Sequence, residues 1–206
     1  MTNGVTMLHF SGMGMSKMSY IMKYEILTDR FEIEKLAEEL YISKDNIFVY
    51  IDYADVCAIK RLGTFKYTVI CDIDMQNESW VTAFINVIQS LDFPLDELKA
   101  FMVNFIEGGE ECTLIQTELC EVLQFLQSMT FTEERPNNYI DILWSVRNRP
   151  SMSKGTLKIQ LLATYEKTEQ DKLEDEKYEQ MMEEYRKPFF PPVDLPEFVF
   201  TPTNNE

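Results

Sequence analysis

Two kinds of apolar periodicity occur in this chain, and their order along it constrains the fold more than any other feature. The clearest alternation consists of Leu157, Ile159, Leu161, Ala163 and Tyr165. Alternation of this kind is typical of a β-strand with one buried face, and it recurs in 65–73 and in 19–27. Between these stretches, apolar residues recur every three or four positions, as in amphipathic helices. The sequence therefore predicts an α+β protein.

The strand-like segments at both ends of the sequence predict antiparallel hairpins that pair into one sheet. We interpret 46–59 and 65–73 as one hairpin, and we expect strands over 139–146 and 156–165 at the other end. Because successive segments of this type pair readily, a single antiparallel sheet is the expected scaffold.

Helices are predicted where the apolar spacing changes to three and four. Three central helices, over 79–91, 95–106 and 113–129, are expected to cover one face of the sheet. An earlier short helix over 29–40 begins with Asp29 and Glu32, which match a capping-box pattern.

The chain of 206 residues has the length of one domain with appended segments. We expect a flexible leader over 1–18, a single α+β domain over 19–165, and a charged helix with an extended arm over 166–206. The arm contains five prolines, which prevent it from continuing the helix.

The formal net charge of −16 is the most unusual property of the composition. Segment 86–134 contains ten acidic residues and one basic residue, Lys99. Such a charge repels phosphate groups and attracts basic proteins, so we expect no direct binding to nucleic acid. The acidic side chains expected to form a partner-binding surface are Glu107, Glu110, Glu111, Glu118 and Glu121.

Aromatic residues in the C-terminal arm provide a second candidate for partner binding. The expected contact residues are Tyr185, Phe189, Phe190, Phe198 and Phe200. One interpretation is that the arm folds back along the protein's own sheet and completes its core. The other is that it docks on another subunit or on a partner protein, as extended peptides dock on sheet edges and in apolar grooves.

Paired carboxylates on a predicted strand are the strongest indication of enzyme chemistry. Asp72 and Asp74 lie on one side of the strand, and Asp141 on another strand is a candidate third ligand for a divalent cation. The arrangement superficially resembles the carboxylates of nucleotidyl transferases and primases, but phosphate-holding groups are not found at the required places. We therefore expect no catalytic residues, no metal site and no cofactor.

Other reactive residues match no known site pattern. The single histidine, His9, lies in the predicted leader, and the cysteine spacings fit no zinc or redox motif. We expect reduced thiols, and a link between Cys57 and Cys71 only in an oxidising compartment. The apolar runs are too short to cross a membrane, so a cytoplasmic protein is expected.

These observations favour a protein that is not an enzyme and acts by contacting other macromolecules. The leading hypothesis is an acidic assembly, adaptor or accessory subunit of a virus or mobile element, which contacts a partner or another copy of itself through the arm. One alternative is an acidic inhibitor that imitates nucleic acid and blocks the basic cleft of a nucleic-acid-binding protein. Another is a metal-dependent enzyme that uses Asp72 and Asp74 for nucleotidyl transfer.

Overall fold

A computed structural model of the chain describes residues 5–7, 23–42, 45–75, 79–91, 95, 97–129 and 140–186. The strands are β1 Val5–Met7, β2 Lys23–Leu27, β3 Asn46–Val49, β4 Thr64–Asp74, β5 Leu98–Gly108, β6 Asp141–Arg149 and β7 Thr156–Tyr165. The helices are α1 Arg30–Ile42, α2 Tyr53–Leu62, α3 Trp80–Ser90, α4 Gln116–Ser128 and α5 Glu169–Arg186. The α+β class is confirmed.

One mixed sheet organises the first part of the chain, in the strand order β1-β2-β4-β7-β5-β6-β3. β5 and β6 are parallel, whereas the other neighbouring pairs are antiparallel. α4 lies in sequence between the two parallel strands, because parallel neighbours need a long crossover connection. The expectation of a purely antiparallel sheet was wrong at this pair.

Alternate residues of the strands belong to two separate apolar cores. Phe101, Val103 and Phe105 of β5 pack in the cluster that contains the buried residues of α3 and α4, which we call the α3/α4 core. Ala100 and Met102 of the same strand pack in the cluster that contains the buried residues of α1 and α2, the α1/α2 core. The sheet is therefore covered on both faces, and not on one face as expected.

The predicted helix over 95–106 was wrong, since this segment contains β5. Every residue from Ala100 to Gly108 is buried, including those that a helix would direct to solvent. A strand that lies inside a sheet covered on both faces has a nearly continuous apolar sequence. Such a run satisfies helical spacing by accident, so periodicity alone does not separate the two structures.

The predicted hairpin of 46–59 with 65–73 was also wrong. The first segment contains only the short strand β3, which pairs with β6, and then the helix α2. Asp52 begins that helix through a reciprocal capping box with Asp55, in which each side chain accepts the other residue's backbone amide at 2.9 and 3.0 Å. The β-branched and aromatic residues around this capping pattern favour a strand, so the sequence did not indicate that a helix begins here.

The two strands near 139–165 do not form a hairpin either. β7 pairs with β4 and β5, and β6 lies on the other side of β5. The intervening strand is contributed by the middle of the chain, which we had expected to be helical. The strand β7 itself is confirmed with the predicted bounds.

Several predicted elements are confirmed. α3 and α4 occupy the first and third of the central helical segments, and α1 begins after Asp29, whose carboxylate accepts the Glu32 amide at 3.0 Å. Within the predicted leader, Val5–Met7 form β1 and pair with β2, and the other residues of 1–18 lie outside the described part.

The chain divides into two compact units, residues 1–166 and 167–206. The described part of the second unit is α5, which begins with Thr168 and Asp171 in reciprocal hydrogen bonds of 2.7 and 3.1 Å. The proline-rich arm over 188–206 lies outside the described residues. None of the described helices is both long enough and apolar enough to cross a bilayer.

Candidate partner-binding surface

Exposed aromatic side chains gather where the sheet ends at β3. Phe48, Tyr50 and Tyr53 are 56%, 58% and 63% exposed. The other strongly exposed large apolar side chains among the described residues are Leu62, Ile115 and Leu173. Because three of the six fall within six consecutive residues, exposed apolar area is concentrated at this one place. We call Phe48, Tyr50 and Tyr53 the aromatic edge.

A β-bulge directs Phe48 away from the cores. Ile47 is opposite Arg147 and Val49 is opposite Val146, so β3 has one residue more than β6 between these pairs. The additional residue, Phe48, has no opposite partner in the ladder. Bulges of this kind bend an edge strand and change the direction of a side chain.

The chain passes around the edge of the sheet directly after β3. Val49 packs against the α3/α4 core, and Ile51 is buried in the α1/α2 core. Tyr50 stands between them and is exposed where the chain changes face. Tyr53 then begins α2 in the position that the Asp52 cap fixes. The aromatic edge is thus anchored by the partly buried Val49 on one face and the buried Ile51 on the other.

Basic residues of β6 support β3 from inside the sheet. Arg149 forms a two-pronged ion pair with Asp45, the residue before β3, in which Nε donates to Oδ1 at 3.2 Å and Nη2 to Oδ2 at 2.8 Å. Arg147 lies opposite Ile47 and is 1% exposed. Burial lowers the pKa of Arg147, while the charge of Asp45 acts in the opposite direction. Asp45 therefore balances positive charge next to the edge strand.

Carboxylates lie near both ends of the aromatic edge. Asp52 caps α2 between Tyr50 and Tyr53, and Asp55 follows in the first turn of that helix. Near the other end, the Gly109 amide donates to the Arg149 carbonyl at 3.4 Å, and the exposed Glu110 and Glu111 come next in the chain. Because this loop continues β5 and β6 lies between β5 and β3, the loop lies about two strand spacings, roughly 10 Å, inward from β3. Exposed carboxylates thus lie on two sides of the aromatic edge, and Lys154 lies beside those of the loop.

Two of the five acidic residues expected at a surface are engaged inside the protein. Glu107 is the last residue but one of β5 and is 2% exposed, and its carboxylate accepts the Thr113 amide at 2.7 Å and the Thr113 hydroxyl. Glu118 accepts the indole N–H of buried Trp80 at 3.1 Å and the Ile115 amide at 3.4 Å. These contacts hold the β5–α4 loop and the start of α4.

The remaining three acids, Glu110, Glu111 and Glu121, are exposed. Glu110 and Glu111 lie in the loop after β5, and Glu121 lies on α4. The acidic surface therefore comes from one loop and one helix, and not from three consecutive helices as expected.

The expected contact residues of the arm cannot be placed on this surface. Phe189, Phe190, Phe198 and Phe200 lie outside the described residues. Tyr185 belongs to α5, and its side chain is outside the described part. The interaction predicted for them stays a prediction.

The structure does not bring the candidate metal ligands together. Asp72 lies on β4, where it forms an ion pair of 3.4 Å with Lys158, and Asp141 lies three strands away on β6. Three strand spacings are about 14 Å. Across the sheet, Asp72 pairs with Lys158, Lys158 with Ile106, and Ile106 with Arg147 of β6. Arg147 lies six residues beyond Asp141, so the two are also about 20 Å apart along β6. Asp141 as a third ligand was wrong, and no group of three metal-binding side chains occurs among the described residues.

A cleft of about 750 Å³ opens at the end of β5. Glu107, Gly108 and Gly109 line one side, and the β6–β7 turn with Lys154 and Gly155 lines the other. The Glu107 carboxylate is already bonded to the loop that closes the cleft, and burial together with that carboxylate raises the pKa of the nearby Cys112 thiol. The Cys112 thiol is thus held in its protonated form, in which it is a poor nucleophile.

All four cysteines are free thiols. Burial, followed by the charge of Asp72, raises the pKa of the Cys71 thiol to about 12. The reduced state expected from the sequence stays a prediction. Cys71 belongs to the α3/α4 core and acts there as a small apolar residue.

Sequence reasoning missed the aromatic edge, because 46–59 was interpreted as the first strand of a half-buried antiparallel hairpin. The signals that could have found it were the capping pair of Asp52 and Asp55, which ends the strand early, and the aromatic residues that remain on either side. No protein-family model matches the chain, and the search of curated protein sequences found no match.

Proposed function

We propose that this chain is a non-catalytic protein-interaction protein, an assembly or adaptor subunit that binds a partner protein through exposed aromatic side chains. The observation that supports the proposal is the aromatic edge, where three rings within six residues are each more than half exposed. Large aromatic side chains are enriched in the cores of protein interfaces, since they bury much area at a small cost in entropy.

The C-terminal arm is a second contact in this proposal. Its four phenylalanines follow a charged helix, and its prolines favour an extended chain, which suits recognition of an apolar groove or sheet edge on another protein. The composition favours a cytoplasmic protein that serves as an accessory protein of a virus or mobile element.

The experiment compares affinity capture from lysate of the source cells by three forms of the protein. These are the full chain, a chain that ends at residue 187, and the variant with Phe48→Ser, Tyr50→Ser and Tyr53→Ser. The full chain should capture a protein that the edge variant captures at least about tenfold less, because the loss of one buried anchor costs about 2 kcal/mol.

A matched control replaces Leu62 and Ile115, which are 42% and 58% exposed and lie apart from each other, with Ser. This control should capture the same protein as the full chain. Equal capture by the full chain, the edge variant and the truncated chain would exclude the proposal.

A second function, inhibition by imitation of nucleic acid, is supported by the exposed carboxylates of Glu110, Glu111 and Glu121. Binding of that kind would weaken strongly between low and high salt, since exposed charges are screened beyond about 10 Å at 0.1 M salt. Capture that persists at 0.5 M salt and requires the aromatic edge would exclude it.

A further inference from the structure

We propose that the aromatic edge and the edge strand β3 bind an extended segment of the partner protein that contains lysine or arginine near both ends. This inference rests on the proposed function and names the chemistry of the partner. The segment would add as a strand beside β3, and its basic side chains would contact the rings and the carboxylates around them.

The backbone of β3 supplies the first part of the argument. Among the described strands, β3 pairs with β6 alone and ends the sheet on that side. Alternate residues of an edge strand direct their N–H and C=O groups away from the sheet, where an extended peptide can bond to them. Because β3 has four residues and a bulge, the backbone contributes few hydrogen bonds, and side chains must supply the selectivity.

The charge around β3 supplies the second part. Asp52 and Asp55 lie beyond its C-terminal end, and the loop with Glu110 and Glu111 lies at the end of the sheet where β3 begins, two strands inward. Acidic residues at both ends are complementary to a segment with basic residues at both ends. The net charge of −16 also favours encounter with a basic partner.

The rings supply the third part, because a cation binds well over an aromatic face. The exposed Asp52 lies in the chain between Tyr50 and Tyr53, so its carboxylate is the counter-ion we expect for an arginine or lysine above either ring. At exposed positions, one such contact changes affinity by about two- to fivefold. A purely apolar partner would leave the surrounding carboxylates without a counter-ion.

The same charge argues against two other occupants. Nucleic acid would bring phosphates next to the acidic residues at both ends of β3. A second copy of this chain would bring together two molecules that each carry a charge of −16. Both remain as outcomes that the test distinguishes.

The test uses the full chain and four labelled peptides of ten residues. Each peptide has Lys and Arg at both ends. Between the ends, threonine alternates with a second residue, which is Val, Ile, Leu or Tyr in the four peptides. Matched peptides carry Glu in place of every basic residue. Fluorescence anisotropy gives the Kd, and backbone hydrogen exchange of residues 46–50 shows whether β3 is covered.

We expect at least one basic peptide to bind at least about tenfold more tightly than its acidic match, because several charge pairs each contribute a few-fold. Binding should slow the hydrogen exchange of 46–50. The double variant Asp52→Asn and Asp55→Asn should weaken binding by about three- to tenfold without loss of α2, since asparagine also caps helices well.

Equal binding of basic and acidic peptides, or unchanged exchange in 46–50, would overturn the inference. If the aromatic edge is required for capture from lysate but no basic peptide binds, the proposed function stands and strand addition is excluded. A doubled mass in light scattering that depends on Phe48 would assign the edge to a second copy, and preferential binding of an oligonucleotide would assign it to nucleic acid.

Discussion

The central strand β5 and the edge strand β3 contain similar aromatic and β-branched residues but place them in opposite surroundings. Phe105 of β5 is fully buried, and its ring lies 5.8 Å from that of Trp80 in an edge-to-face arrangement. Phe48 of β3 is more than half exposed. The same side chain thus completes a core in one strand and is available to another molecule in the other.

Polar residues show the same difference. In the centre, Asn104 donates to Gln160 at 2.7 Å and accepts from Ser145 at 2.5 Å, and all three are buried. These amide and hydroxyl groups satisfy one another across three strands. Around the edge, Asp52, Glu110 and Glu111 are exposed to solvent. The centre of the sheet is specified by internal contacts, whereas the edge has chemistry that the fold alone does not require.

The largest expected effect comes from truncating the two phenylalanines in parallel. Phe105→Ala should lower the free energy of unfolding by about 3–5 kcal/mol, because it leaves a cavity in the α3/α4 core. Phe48→Ala should change it by less than about 0.5 kcal/mol, since an exposed ring loses little on truncation. Urea unfolding followed by circular dichroism measures both. Equal losses in the two variants would show that Phe48 belongs to the core.

A second comparison uses two glutamates three positions apart. Glu107→Gln should destabilise the protein by about 1.5–3 kcal/mol, because its carboxylate accepts charge-assisted hydrogen bonds from Thr113. The matched change Glu110→Gln, at an exposed position, should cost less than about 0.5 kcal/mol. Faster hydrogen exchange over 109–115 in Glu107→Gln alone would confirm that this side chain holds the loop.

The smallest effect concerns the buried thiol of Cys71. Its pKa of about 12 exceeds the ordinary value of 9.0, so the folded state retains the proton more strongly than the unfolded state. The resulting stability is fully present below pH 9 and is lost between pH 9 and 12, by about 1.4 kcal/mol per pH unit. Wild-type protein should therefore lose more stability from pH 8 to pH 10 than Cys71→Ala. An identical loss in both would contradict the burial of this thiol.

The sequence predicts the fold where one periodicity dominates. Alternation from Leu157 to Tyr165 identifies β7 with its bounds, and Ser79, whose side chain accepts the Thr82 amide at 3.5 Å, marks the start of α3. Prediction from the sequence fails in 98–108, because a strand buried on both faces loses the polar alternation that would distinguish it from a helix. Because β5 was predicted to be a helix, the predicted strand order and the predicted covering of one face of the sheet were also wrong.

The candidate site was harder to predict, because it depends on neighbours that are distant in sequence. The charges of Glu107 and Glu110 are equivalent in the sequence, and only the fold separates a buried anchor from an exposed carboxylate. In the same way, the exposure of Phe48 follows from the position of β3 at the end of the sheet and from its bulge against β6.

The position of β7 has a consequence for how the molecule forms during synthesis. This strand is the last of the described strands to leave the ribosome, yet it lies between β4 and β5, which are made much earlier. Until Tyr165 has emerged, the two halves of the sheet lack the strand that joins them, and both leave unpaired backbone and apolar surface exposed. Nascent chains that stall before that point should therefore be sensitive to protease along their whole length, and the complete domain should gain its resistance in one late step.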